Sequence, residues 1–326
     1  MMSVGMHCRL LGRPGRIVDH PTRTNEFINV SGGWADASDY LQYVTTSANA
    51  TFVMLMAYRD NPKAFGDKFD ARGLPGKNGV PDVLDEAKHG LDWLLRMYPG
   101  GEDMFNQLAD DRDHMYFDFP WKDSSDYGWG KGKERPVYPC TGKPQGLYKY
   151  KNRSTGYAST AGKYASAFAT AAGIFRKSDP EFAKQLQERA LAAYKLGVEH
   201  PGVCQTASAV SPYFYEEDNW HDDMELGAAA LFEGQQDRGP AEPALHMGAQ
   251  VTGPDRRREL RVILVERALD LVEQALLVLR ERHGAPSRRT IWLDDVVLQG
   301  PAIPVPWCKS TSAIASRHHE TGYWCR

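Results

Sequence analysis

Two carboxylates three residues apart mark the first place where chemistry could occur: Asp36 and Asp39, in the run Gly32-Gly33-Trp34-Ala35-Asp36-Ala37-Ser38-Asp39-Tyr40. Two glycines let the backbone turn tightly, and Trp34 offers a flat apolar face. A carboxylate pair on a loop before a helix can hold one water between its members. One then acts as base while the other fixes the water and raises its partner's pKa by like-charge repulsion. The alternative is an N-cap pair, since a helical pattern begins near Thr46.

Two further clusters carry comparable side chains. Asp110-Asp111-Arg112-Asp113-His114 lies beside Asn106, Gln107, Phe119 and Trp121. Asp clusters suit calcium, but the EF-hand spacing with its glycine is absent, and Asp–Arg pairing on a solvated loop is the simpler reading. His114 among aromatics would suit a sugar hydroxyl. The third run extends from Ser211 to Glu225 and mixes six acidic groups with Tyr213, Phe214, Tyr215 and Trp220. A helix start explains Asp222, Asp223 and Glu225. It does not explain Tyr213, Tyr215 and Trp220 all placed at the loop, which fit a carbohydrate cleft. No phosphate loop, dinucleotide fingerprint, zinc-protease or serine-hydrolase motif is present, and no cofactor or metal is expected.

Helices must position these loops. The clearest spans Pro81–Tyr98, with Asp82, Asp85 and Glu86 at its positive end and Leu84, Ala87, Leu91, Leu94 and Tyr98 stepping along one face. Helical spacing also covers Thr46–Tyr58, Ala158–Arg176 (rich in small residues), Pro180–Val198, Asp222–Phe232 and Arg257–Arg282. Residues 99–154 form a long polar and aromatic connection, and connections of that length are usually functional. No alternating strand pattern of useful length appears, so the expected class is all-α, with antiparallel helices and elaborate loops at one end.

The chain's 326 residues carry 39 Lys+Arg against 42 Asp+Glu, which excludes a strongly basic nucleic-acid surface. No run of 18 apolar residues suggests a membrane span. Five scattered cysteines without a CxxC pair indicate neither a disulfide framework nor a zinc site. Met1–Leu11 lacks the apolar core of a signal peptide. Composition breaks near Glu233: residues 1–233 hold 14 Lys and 31 of the 35 aromatics, residues 234–326 only Lys309 and four aromatics. A looser separate domain or a change of coding frame would each produce that break. The expected division is therefore an unstructured segment 1–16, a domain over 17–233 and an atypical region 234–326.

With these motifs in order, the chain resembles glycoside hydrolase family 9, the inverting β-1,4-glucanases. The family's Gly-Gly-Trp/Tyr-x-Asp-Ala-Gly-Asp signature reads Gly32–Asp39 here, with Ser38 in place of glycine, and Gly79–Leu95 is close to its next motif. Asp110–His114, Ser154–Ala172 and Asp218–Phe232 resemble later family segments, so the likeness covers about residues 17–233. The resemblance implies an (α/α)6 barrel, here incomplete. It implies a β-glucan polysaccharide or oligosaccharide as substrate, and a secreted or periplasmic protein. By motif, Asp39 is the base and Asp36 its water-positioning partner, with His114, Tyr215, Trp220 and Trp34 as sugar contacts. The family's general acid is a Glu in a late Asn-Glu motif, and no Asn-Glu follows residue 233. Arg317-His318-His319-Glu320 lacks the neighbours of the family's late substrate motif. The implied function is a cellulase-like hydrolase impaired by loss of its acid, or a carbohydrate-binding remnant without catalysis. A helical scaffold using Arg257–Arg282 is the third possibility.

Overall fold

Helix α2 (Asp82–Met97) shows how the sequence pattern becomes packing. Asp82 and Asp85 occupy its first turn, and Leu84, Ala87, Leu91 and Leu94 form its buried stripe. Gly90 is required there, because an added Cβ would collide with Thr51 Oγ1 and the Trp34 ring. The computed structural model describes residues 13–37, 39–114, 122–210 and 215–236, together with strands 289–293 and 296–300. Ser38, Phe119, Trp121, Tyr213, Phe214, the Arg257–Arg282 pattern and Arg317–Glu320 lie outside the described residues.

Within residues 1–244, the first of two compact units, helix α1 (Val44–Asp60) packs on α2 and on α3 (Ala158–Phe175). α3 in turn packs on α4 (Pro180–Glu199) and α5 (His221–Gln236). α4 starts with Pro180 behind an Asp179 cap that accepts the Phe182 N–H at 3.1 Å. The small residues of α3 allow these crossings: a Cβ on Gly162 would collide with the backbone of Asp223 in α5. The core therefore lies between helical hairpins, and Trp93, Tyr98, Tyr164 and Phe168 are fully buried in it.

The chain is not all-α. Strands β1 (Gly15–Ile17), β2 (Phe27–Ile28), β3 (Gln42–Tyr43), β4 (Phe105–Leu108) and β5 (Arg135–Pro139) form one sheet in the order β2-β1-β5-β4-β3. β1 and β5 run parallel, and the other neighbours are antiparallel. These strands have two to five residues, and β4 and β5 are buried at every position, so neither shows the alternation that marks a half-exposed strand. β1 also begins inside the 1–16 segment expected to lack structure, and α5 continues past Glu233. In the second unit, residues 245–326, β6 (Arg289–Leu293) pairs antiparallel with β7 (Val296–Gly300), from Leu293–Val296 out to Arg289–Gly300.

A second correction concerns cysteine. Cys140, one residue past β5, is disulfide-bonded to Cys204, 64 residues later. The spacing is too long for any motif, so it left no signal in the sequence.

Candidate active site

The Asp36–Asp39 loop is shaped by its backbone. Gly33 has a φ of 72°, and an added Cβ would lie 2.6 Å from the Trp93 ring, so both conformation and space demand glycine. The Asp36 N–H donates to the Leu41 carbonyl at 2.8 Å and closes the loop. Under it, buried Arg135 of β5 donates from Nη1 to Gln42 Oε1 at 2.9 Å and from Nη2 to the Tyr40 carbonyl. Gln42 Nε2 donates to the Gly32 carbonyl at 2.8 Å. Helix α1 has Tyr43 at its N-cap position and no side-chain cap. Neither Asp36 nor Asp39 serves as its cap.

Each carboxylate receives one side-chain partner from a distant segment. Asp39 Oδ2 lies 3.1 Å from His114 Nε2, and Oδ1 accepts the Leu41 N–H at 3.3 Å. Asp36 Oδ2 accepts the Tyr215 hydroxyl at 2.9 Å. The Tyr215 N–H donates to Thr206 Oγ1 at 2.7 Å, and its ring meets Tyr43 edge-on with centroids 5.1 Å apart. Burial raises the Asp39 carboxyl above the usual range, opposed by His114 and by the Leu41 N–H, while Asp36 adds a smaller upward push. Like-charge repulsion thus acts in the expected direction but ranks behind desolvation.

His114 is delivered by the second acidic run, which differs from its expected setting. Asp110, Asp111 and Asp113 are buried, not solvated. Asp110 takes Arg112 Nε at 2.7 Å and the Tyr138 hydroxyl at 2.7 Å. Asp111 accepts the Ala209 N–H at 2.5 Å and the Val210 N–H at 3.1 Å. Asp113 Oδ2 accepts the Tyr127 hydroxyl at 2.7 Å, while its buried Oδ1 has no partner among the described residues. Burial pushes the Asp113 carboxyl up to about 8, against the Tyr127 bond and Arg135 and with Asp39 adding to it. Ala109, with a φ of 69°, turns the chain from β4 into this run. Its carbonyl is held by Gln107 Nε2 at 2.8 Å.

The structure therefore brings together Asp36, Asp39, His114 and Tyr215. The two tryptophans differ. Trp34 Nε1 donates to Glu86 Oε1 at 2.7 Å and its ring lies over Gly90 and near His89, facing α2. Trp220 stacks on His221 with centroids 3.9 Å apart and packs against the helical core. Among the described residues, neither makes a contact with Asp36 or Asp39. Sequence reasoning missed Arg135, Gln42 and Tyr43, whose parts depend on partners distant in the chain. Asp113 was within sight, one residue before His114.

The profile of glycosyl hydrolase family 9 matches residues 10–256. The chain belongs to glycosyl hydrolase family 9. Similar family members include Endoglucanase D of Acetivibrio thermocellus, 29% identical over 62% of this chain and 28% of that protein. Endoglucanase 3 of Oryza sativa subsp. japonica is 27% identical over 71% of this chain and 40% of its own length. Among solved structures, a metagenome-derived family 9 endoglucanase superposes with a TM-score of 0.50 at 26% identity, over 82% of this chain and 48% of that one. An Alicyclobacillus acidocaldarius endoglucanase variant gives 0.51 at 19% identity, a likeness of fold, over 68% of this chain and 37% of that one. The chain thus spans less than half the length of each of these relatives.

Proposed function

We propose that this family 9 chain carries the water-activating half of an inverting β-1,4-glucan hydrolase, its helical hairpins forming part of an (α/α)6 ring. The observation that carries the reading is the pairing of Asp39 with His114 and of Asp36 with Tyr215, on the loop that matches the family signature. Asp39 takes a proton from water as the water oxygen attacks the anomeric carbon, and Asp36 orients that water. Inversion then needs a protonated acid about 6.5–9.5 Å away to protonate the leaving oxygen.

The described carboxylates near the site are poor acids. Glu217 Oε1 is already engaged by Lys163 Nζ at 2.7 Å and by the Thr45 hydroxyl at 2.9 Å. Glu216 and Asp218 face Arg153. Asp113 holds a proton at neutral pH, but it is fully buried on Tyr127 and has no path to a glycosidic oxygen. No Asn-Glu follows residue 233, so the chain by itself is impaired on alcohol leaving groups.

General acid catalysis contributes about 10²–10⁴-fold, whereas a phenolate departs with little protonation. The test is the purified chain on β-1,4-glucan and on an aryl β-glucoside. The expected result is negligible glucan hydrolysis with slight release of the phenol. Robust glucan hydrolysis would overturn the impairment and make Glu320 the first residue to replace. A second reading, a sugar-binding remnant, rests on the same missing acid. Binding of cello-oligosaccharides with no turnover of the aryl substrate would favour it.

A further inference from the structure

Lys163 is a part-buried cation outside the carboxylate pair. It sits on α3, next to the glycine over which α5 crosses, with 14% of its side chain exposed. Its Nζ lies 2.7 Å from Glu217 Oε1 and 2.6 Å from Asp223 Oδ2, and donates to the Ser159 carbonyl at 3.3 Å. The same Glu217 oxygen accepts the Thr45 hydroxyl at 2.9 Å, in the first turn of α1. One ammonium group therefore joins α1, α3, the start of α5 and the loop 215–220.

Even a part-buried cation loses hydration and adds little stability compared with apolar packing, so the effect of this one lies in the geometry it imposes. That geometry is local. Glu217 is two residues from Tyr215, and Thr45 is two residues from Tyr43, on whose ring Tyr215 rests. The backbone side of the loop is held separately: Thr206 takes the Tyr215 N–H, and Gln205 Nε2 donates to the Glu217 carbonyl at 2.9 Å. Those bonds fix where the loop runs. The Lys163–Glu217–Thr45 link fixes how close it stands to α1, the distance that decides whether a phenol on the loop reaches Asp36.

We infer that Lys163 is a positioning residue, which through Glu217 seats the Tyr215 hydroxyl on Asp36. The inference rests on the reading of Asp36 as the water-orienting carboxylate, but its test needs no turnover. The protein is produced with 3-fluorotyrosine, and the Tyr215 fluorine signal is identified by its loss in Tyr215→Phe. Asp36→Asn defines where that signal moves when its acceptor is weakened. The expected result is a move in the same direction in Lys163→Met, with return toward the native position in Lys163→Arg. If Lys163→Met does not fold, Glu217→Ala cuts the link at the loop and leaves Lys163 with Asp223; it should give the same move. A Tyr215 signal unmoved in a folded Lys163→Met or Glu217→Ala protein overturns the inference and leaves Lys163 a purely structural ion pair. Failure of the hydrolysis assay alone would strike the proposed function and leave this inference intact.

Discussion

Two acidic runs, Asp36–Asp39 and Asp110–Asp113, are built from the same carboxylates and end in opposite states. In the second run Asp110 accepts from Arg112 and the Tyr138 hydroxyl, Asp111 from the Ala209 and Val210 amides, and Asp113 from a tyrosine. In the first run, among the described residues, Asp36 is engaged only at Oδ2, by Tyr215. Asp39 has His114 on one oxygen and a long backbone bond on the other. Asp110 and Asp111, matched on both oxygens, build the fold, whereas a carboxylate left partly unsatisfied within reach of solvent can still accept a proton from water. The two runs meet at His114, which ends the structural one and touches the chemical one.

The sharpest way to break this contrast is to remove one carboxylate from each run. Asp39→Asn should remove the residual aryl β-glucoside turnover, a loss of about 10²–10⁴-fold, with the melting temperature nearly unchanged. Rate and thermal melt together decide it, and a variant that keeps its rate would place the base elsewhere. Asp111→Ala should do the reverse. It strands the Ala209 and Val210 N–H groups and should cost about 2–3 kcal/mol of stability in urea unfolding.

Asp113 sharpens the comparison through pH. Its folded pKa lies above the unfolded value, so the stability it contributes is fully present below about 4 and is lost as pH rises through about 8. Asp113→Asn should remove that slope and leave the variant more stable than the parent above pH 8, by about 1–3 kcal/mol. Melting temperatures from pH 5 to pH 9 check it, and parallel curves would refute it. The smallest effect concerns Asp39, whose carboxyl is also raised. As a base it must be ionised, so turnover should fall away on the acid side at a higher pH than for an ordinary carboxylate. A rate–pH profile locates that limb.

What could be read from the sequence follows the range of the interactions. α2 was legible because its apolar stripe and its acidic first turn lie within sixteen residues. The carboxylate pair was legible because both members and the glycine turn share one loop. β5 was not: it reads Arg-Pro-Val-Tyr-Pro, and two prolines in five residues argue against a strand. Pairing with β1 and β4, both remote in the chain, makes it one. Arg135 was missed for the same reason, since its role is visible only once Tyr40 and Gln42 stand over it. Trp220 lies in the same acidic run as Tyr215, yet its ring stacks on His221 and packs against the helical core.

The Cys140–Cys204 bond ties the end of β5 to the segment that supplies Thr206 to Tyr215 and the Ala209 and Val210 amides to Asp111. Closing a loop of 64 residues removes unfolded-chain entropy equivalent to about 4 kcal/mol, a large part of the net stability of an ordinary domain. Both sulfurs belong to residues that are almost wholly buried, so a reductant gains access chiefly when the chain opens. The oxidation state of the surroundings during folding therefore bears on whether the tyrosine and histidine ever reach their carboxylates. In a thiol-rich compartment the same polypeptide would hold this site less firmly.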